Sequence, residues 1–543
     1  MMKTAWLNKH SYLFYCILSG VLLALSWPAR GLPLLAFVAL IPLLYVEDQL
    51  HLKKKDFKSV VFFLHAWTAF FIFNLLTTWW IMFATIPGMI VAVILNATFM
   101  AIPWWIMHKS RRILPGKQGQ LSIILLWLTF EYLHGLWELS WSWLDLGNVF
   151  ASWPAWVQWY DITGVAGGTL WVLLINLLLF SAIRQGIHKQ GLRKRSRWNL
   201  IMALVIFVVP SFYSIYTWIT YEEALAPIEV VIIQPAEDPY EQAATQAAWE
   251  ARVEQMIRLA DESISPATRF VVAPEGVNPR GIWIHDAESH YTITRLRQHM
   301  EAHPHITWIF GSFTYRLYER DEKPPATARP YGESGYFFDA YNSAIMVARD
   351  QPIQYHHKYK LVPGIERMPY FRLLQPVGSL VDRFGGISGS LGTTDRQTVF
   401  STTDGIRIAP AVCYESIYGE YLGGFIRQGA GFLFIMTNDG WWRDTPGYRQ
   451  HNQYARLRAI ESRRSVARAA STGISSFIDQ RGEILMQTSW WDETSLATTI
   501  NAQTRLTFYN RTGNFLGKLA LFLSALLIFY MISQGIIRKG TQT

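Results

Sequence analysis

The sequence predicts a multi-span α-helical membrane domain joined to an α/β globular domain. Residues 1 to about 220 are dominated by apolar and aromatic runs, whereas residues 228 to about 505 have ordinary soluble-protein polarity. Within the second part, short β-branched or aromatic runs alternate with helical patterns, which is the signature of an α/β sandwich. The expected domains are a membrane part at 1–222 with about seven helices, a globular part at 228–505 and a last membrane helix at 513–538.

Runs of about 17–25 apolar residues are long enough to span a bilayer as helices. Eight runs stand out: 12–27, 32–46, 59–81, 87–107, 119–137, 163–183, 198–219 and 515–536. Lys53, Lys54, Lys55 and Lys58 follow the second run, and Lys109, Arg111, Arg112 and Lys117 follow the fourth. Arg184, Lys189, Arg193, Lys194, Arg195 and Arg197 follow the sixth. The alternate loops carry almost no basic residue beyond Arg30. Positive loops stay inside, so both termini are expected in the cytoplasm and the globular domain outside. The net charge of +9 and pI near 9.3 therefore come from topology signals between spans, and no nucleic-acid partner is implied. Lys3 and Lys9 precede the first run as in a signal peptide, but Ser26-Trp27-Pro28 is a poor cleavage site, so this run is expected to stay as an anchor.

Residues 130–161, FEYLHGLWELSWSWLDLGNVFASWPAWVQWYD, are rich in Trp and contain no Lys or Arg. Tryptophan favours the membrane interface, so this segment is expected to lie flat on the outer surface, with Glu131 and His134 at the end of the fifth span. The globular part opens with the strand IEVVIIQ and a helix from about 244 to 263. FVVAPEG, ITWIFGSF, NSAIMVARDQ, IRIAPAVCYE, GFLFIMTNDG and TGISSFIDQRGEIL supply further strands. Tyr448 to Ala470 reads as one helix, with Tyr454, Leu457, Ile460 and Val466 on its apolar face and arginines on the rest. Residues 320–337 are rich in Pro and Gly and read as a loop.

Only two cysteines occur, so no disulfide framework is expected. Cys16 lies in an apolar run, but Cys413 ends the strand-like RIAPAVCYESIYGE (Arg407 to Glu420) at a turn, the position of a nucleophile. A thiol needs a base, and a fixed cation can hold the oxyanion formed when a thiolate attacks a carbonyl. Glu275 in FVVAPEG and Lys358 in YHHKYKLVPGIE supply one of each, with Lys360 a close competitor for the cation. His356 and His357 lack the accompanying ligands of a metal site, and there is no phosphate-loop or dinucleotide fingerprint, so neither metal nor cofactor is expected.

The three segments in this order resemble the Glu-Lys-Cys triad of the nitrilase superfamily, and TNDGWW (Thr437 to Trp442) fits the same pattern. With membrane spans before and after, the chain resembles the apolipoprotein N-acyltransferase family over nearly its whole length. The resemblance implies a four-layer α-β-β-α fold, Glu275, Lys358 and Cys413 as catalytic residues, and support from Glu366, Tyr414 and Glu415. Counting back from Leu361-Val362-Pro363 selects Lys358 over Lys360. Gly364-Ile365 departs from the family's pair there, while Glu366 is kept. Trp441, Trp153 and Tyr240 are implied in substrate binding, and both Tyr240 and Trp249 are candidates for the tryptophan that opens the family's globular domain. The implied reaction moves an acyl chain from a phospholipid donor, through a thioester on Cys413, to the α-amine of diacylglyceryl-cysteine on an apolipoprotein. The implied location is the inner membrane, with the catalytic domain on the periplasmic side. A membrane-anchored amidase and a lipid-binding scaffold are the alternatives; the first admits water to the thioester, and the second shows no catalysis.

The basic loops generate a direct test. A reporter fused after Thr543 should be active in the cytoplasm and one inserted near Pro325 should be active outside; the opposite result at either position overturns the orientation.

Overall fold

The computed structural model describes residues 2–114, 118–186, 194–240, 245–278, 280–370, 389–394 and 396–540. The chain divides into two compact units, one of Met1–Met82, Ile86–Thr220 and Asn514–Thr543, the other of Phe83–Thr85 and Tyr221–Gly513.

The first unit is helical: α1 (Met2–Ser26), α2 (Ile41–Leu52), α3 (Ser59–Thr78), α4 (Ile86–Ser110), α5 (Gln118–His134), α6 (Val165–Gly186) and α7 (Lys194–Thr220), with the C-terminal helix Phe515–Gly540. Among the described residues, six helical stretches are long and apolar enough to cross a membrane. They are Pro33–Leu52, Ser59–Phe83, Ile86–Ser110, Val165–Gln185, Lys194–Thr220 and Phe515–Ile537. The other two of the eight expected runs are shorter: the apolar stretch Ser11–Ser26 within α1, and the 17-residue α5.

The Trp-rich segment packs into the helical unit. It folds into short turns, Ser142–Leu144, Leu146–Ser152 and Pro154–Trp156, whose Trp143, Leu144, Leu146, Val149, Phe150 and Val157 are buried. The reason is Glu131. Its Oε1 accepts from Leu146 N at 2.8 Å and Trp127 Nε1 at 2.8 Å, and its Oε2 accepts from Thr169 Oγ1 at 2.7 Å. Tyr160 adds a hydroxyl bond to Gly147 O at 2.8 Å. Irregular backbone inside an apolar unit survives only where its polar groups find partners within the protein, and this carboxylate provides them.

The second unit is built on two sheets. The first has the order β14-β1-β2-β4-β6-β5, where β1 is Pro227–Gln234, β2 Thr268–Val272, β4 Thr307–Tyr318, β5 Arg329–Pro330, β6 Phe337–Ala348 and β14 Thr494–Asn501; β3 (Ile282–Trp283) pairs with β4 and β7 (Gln354–His357) with β6. The second runs β13-β12-β11-β10-β9-β8, from Ile484–Gln487 through Ser476–Ile478, Ser465–Ala470, Phe432–Thr437 and Arg407–Val412 to Phe400–Ser401. The centre of each is parallel, β1, β2 and β4 in one, β9, β10 and β11 in the other.

Strand alternation assigns the layers. Val230, Ile232, Phe270, Val272 and Ile309 pack with Ile408, Val412, Phe432, Phe434 and Met436 between the sheets. The intervening Val231, Ile233, Val271, Trp308 and Phe310 face α8 (Gln246–Asp261) and α9 (Tyr291–Ala302) through Trp249, Val253, Met256, Leu296 and Met300. Helices α10 (Gly419–Arg427) and α11 (Pro446–Ser462) cover the second sheet, completing four layers, α-β-β-α.

The single helix expected over Tyr448 to Ala470 is corrected. Arg463 takes a left-handed conformation (φ 51, ψ 48) that ends α11, and Val466 and Arg468 lie on β11. Its arginines are intradomain partners: Arg458 Nε pairs with Glu461 at 2.9 Å, Arg468 Nη2 with Asp439 at 2.6 Å, and Arg464 donates to Ala430 O at 2.8 Å.

Candidate active site

Three strand ends bring the site together. After β2 the chain runs Ala273-Pro274-Glu275-Gly276 along β4, with Ala273 N on Ile309 O at 2.8 Å and Gly311 N on Pro274 O at 3.0 Å. Gly276 turns with φ 82 and leaves Glu275 at the sheet's end. After β7, Lys358 N donates to Asn342 O of β6 at 2.7 Å. After β9 the backbone passes from extended Val412 (φ −99, ψ 111) to Cys413 at φ 49. A side chain is rarely held in that left-handed region, and such points cluster at functional sites.

Lys358 Nζ lies 2.8 Å from Glu366 Oε1 and 3.8 Å from Glu275 Oε1. Asn342 Nδ2 donates to both carboxylates, at 2.6 Å to Glu275 and 2.8 Å to Glu366, and so sets their spacing. Asn438 N donates to the other Glu275 oxygen at 3.2 Å. The Lys358 side chain is 1% exposed and that of Glu275 14%, so the cation is enclosed while the carboxylate reaches the opening. Lys360 stands apart, over the rings of Tyr359 and Tyr418. Gly364 turns at φ 83, and Glu366, its Oε2 held by Val362 N at 2.8 Å, still arrives at Lys358.

The electrostatics follow from burial and these neighbours. Burial pushes Glu275 above the usual carboxylate range against the opposing pull of Lys358, while Glu366 adds to the rise. Burial disfavours the Lys358 ammonium, but Glu366, Glu275 and Cys413 outweigh it and hold the charge well beyond the usual lysine range. Burial raises the Cys413 thiol, Glu275 raises it further, and Lys358 opposes. The site thus combines a thiol held toward its neutral form, a carboxyl group of raised basicity and a fixed cation.

Glu415 is buried and ties two of the strand ends together. It accepts from Val412 N at 2.9 Å and Tyr359 N at 2.8 Å, and lies 3.3 Å from His356 Nε2. Burial works against its charge, but His356 and those two amides hold it below the usual range. His357 bonds Ser343 Oγ at 2.7 Å and stacks on Tyr341. Tyr414 is buried against Tyr418.

A layer that the sequence did not single out supports the Cys413 turn. His451 Nε2 lies 3.2 Å from the Cys413 carbonyl and 2.8 Å from Ser416 Oγ, which is itself 2.7 Å from that carbonyl. His451 Nδ1 lies 3.1 Å from Asp439 Oδ1, and Asp439 also takes Arg468. Burial opposes the Asp439 charge, yet Arg468 and His451 hold its carboxyl at about 2. Asp439 was within reach of the sequence, inside TNDGWW; Asn342, His451 and Arg468 carry no local signal.

Of the binding candidates, Tyr240 lies against Trp441, with ring centroids 5.4 Å apart and its hydroxyl 2.8 Å from the Trp441 carbonyl. Trp249, the competitor of Tyr240, is buried in the outer helical layer against Tyr291. Trp153 belongs to the helical unit, where it packs on Trp156.

Comparison with known proteins is consistent along the chain. The model of the apolipoprotein N-acyltransferase N-terminal domain matches residues 19–178, and that of carbon-nitrogen hydrolase matches 232–508. An apolipoprotein N-acyltransferase of Chlorobaculum tepidum is 29% identical over 515 residues, 91% of this chain and 92% of the relative. One of Geobacter metallireducens is 28% identical over 525 residues, 93% and 92% of the two. Among solved structures, Nit3 of Saccharomyces cerevisiae, a nitrilase-superfamily member, aligns at 15% identity and a TM-score of 0.36, over 51% of this chain and 90% of that one.

The fit between β4 and the Glu275 loop can be tested. A Cβ on Gly311 would meet Glu275 Cα at 2.7 Å and Pro274 O at 3.3 Å, so Gly311→Ala must displace the carboxylate. Alkylation of Cys413 by iodoacetamide, read by mass spectrometry of its peptide, should slow by roughly tenfold or more, since a carboxylate moved away from the thiol is less able to take its proton. An unchanged rate would mean that the strand yields instead.

Proposed function

The chain belongs to the apolipoprotein N-acyltransferase family, a membrane-embedded branch of the carbon-nitrogen hydrolases, and on that premise we propose that it transfers an acyl chain from a phospholipid to the α-amine of diacylglyceryl-cysteine on apolipoproteins, with Glu275, Lys358 and Cys413 as its catalytic residues. The observation that carries this reading is the convergence of a left-handed Cys413, a buried Lys358 and a Glu275 of raised basicity.

Cys413 Sγ attacks the ester carbonyl and its proton passes to Glu275. The carbonyl oxygen takes the negative charge beside the Lys358 ammonium. The ester C–O bond then breaks, the Glu275 proton goes to the departing alkoxide, a lyso-phospholipid leaves and the acyl chain stays on sulfur. The acceptor amine attacks the thioester and gives its proton to Glu275; the C–S bond breaks, and the proton returns to the Cys413 thiolate. Each step moves a proton within the site, so the buried pocket never changes its net charge. Glu366 and Asn342 hold the cation and the base in place throughout.

The membrane helices support a lipid substrate that arrives laterally; the proposed orientation places the globular unit on the periplasmic side of the inner membrane with both termini in the cytoplasm. The amidase reading differs in one respect, because a hydrolase must admit water to the thioester and a transferase must exclude it.

Two experiments test this. Glu275→Gln and Lys358→Met should each lower the acylation rate on the order of 10²-fold or more with folding intact; an active Lys358→Met beside a dead Lys360→Met would reassign the cation. Purified protein given a phospholipid labelled in its acyl chain, with no acceptor, should retain label that hydroxylamine removes, and Cys413→Ala should retain none. Adding a peptide with an N-terminal diacylglyceryl-cysteine should move the label to its amine. Release of free fatty acid at the same rate with or without the peptide would replace transfer by hydrolysis.

A further inference from the structure

One pocket lies next to the nucleophile's supporting layer and has an unusual wall. Its lining is Asp238, Tyr240, Gly440, Arg443, Asp444, Trp490 and Trp491, and its volume is ≈ 290 Å³. It borders the site through Gly440, whose neighbour Asp439 pairs with His451 and Arg468, and whose second neighbour Asn438 donates to Glu275. Two of its walls are held in backbone conformations that side chains rarely adopt. Arg443 has φ 52 and ψ −166, a combination that belongs almost entirely to glycine, and Trp491 has φ 67. Glycine would serve Arg443's turn at lower cost, so the arginine side chain calls for a reason of its own.

That side chain is exposed, and its guanidinium sits over the rings of Phe83 and Tyr240, 5.3 and 5.7 Å from their centroids. The nearby carboxylates are engaged elsewhere. Asp444 Oδ1 takes Arg449 at 2.8 Å and the Tyr448 hydroxyl at 2.9 Å, and Asp238 Oδ1 accepts from Tyr240 N at 2.8 Å. The Arg443 fork thus lies over two aromatic rings at the edge of a pocket that Trp490 and Trp491 also line, and among the described residues its donors meet no carboxylate.

We infer that Arg443 binds the phosphodiester of the acyl-donor glycerophospholipid, with Tyr240, Trp490 and Trp491 flanking its head group. This deepens the acyltransferase reading and rests on it for the identity of the lipid. A planar guanidinium matches two phosphate oxygens at once, which a single ammonium cannot do. The two aspartates disfavour a doubly charged free phosphate more than a singly charged diester, so the pocket selects the lipid form. Fixing the phosphate at residue 443 orients the ester relative to the Asn438–Gly440 turn that carries Glu275's amide donor.

The test separates this site from the chemistry. Full-length Cys413→Ala protein in detergent, with and without Arg443→Gly, is titrated by calorimetry with dihexanoyl phosphatidylglycerol, dihexanoylglycerol and inorganic phosphate. Glycine suits the backbone at 443, so the variant should melt no lower than its parent. It should bind the phospholipid roughly tenfold more weakly, the order expected for one charge-assisted contact, and bind dihexanoylglycerol unchanged. Arg443→Lys should fall between. Equal weakening toward both lipids, or no weakening, overturns the inference, and so does inorganic phosphate binding as tightly as the phospholipid. If binding depends on Arg443 while the wild type never acquires label on Cys413, the catalytic reading falls and the pocket stands.

Discussion

The globular unit depends on a buried ammonium. Lys358 has almost no access to water, and an isolated charge in such a place would be lost to neutralisation. It is retained because Glu366 and Glu275 face it and because Asn342 fixes the separation of the two carboxylates. Removing one member of a buried, hydrogen-bonded set of this kind costs about 3–5 kcal/mol, because the partner is left uncompensated. The constraint reaches into the fold: Asn342 is on β6, Lys358 follows β7, and Glu275 follows β2, so the charges fix three chain segments of the first sheet.

The second sheet meets that demand from its own side. Cys413 occupies a left-handed position which the chain would leave if its surroundings allowed. They do not, because Glu415 grips Val412 ahead of it and Tyr359 across from it, while His451 and Ser416 approach its carbonyl. Asp439 and Arg468, both fully buried, close this layer with an ion pair. The Cys413 turn is therefore set by buried groups behind it, and Glu415 links the turn to the lysine strand directly.

What the sequence made legible follows the same division. Glu275 and Cys413 stand at the ends of β-prone runs, which marked them as strand-end residues, whereas Lys358 was separated from Lys360 only by the family resemblance around Leu361-Val362-Pro363; the alternation of strand-like runs with helices gave the sandwich. Asn342 was hidden inside a strand, and His451 and Arg468 belonged to a stretch whose charge pattern imitated one long helix. Arg468 is polar in sequence and buried in fact, and its ion pair to Asp439, with bonds to Ile474 O and His451, reconciles the two. In the Trp-rich segment the aromatic content was legible but the packing was not: the buried Glu131, indistinguishable in sequence from an interfacial carboxylate, binds Leu146 N and Thr169 and holds the backbone against the helices.

Glu131 and Glu275 are both carboxylates in apolar surroundings, and the difference between them lies in their partners. Glu131 accepts hydrogen bonds on both oxygens from Trp127, Leu146 and Thr169, none of which can give up a proton for chemistry. Glu275 accepts from Asn342 and Asn438 but faces a lysine at 3.8 Å and influences a thiol, so a proton has somewhere to come from and a charge to offset it. A buried acid whose every partner is a neutral donor organises structure. One that shares its surroundings with a thiol and a fixed cation can take the thiol's proton without altering the charge of the pocket, which is the property that the proposed two-step acyl transfer requires of its base.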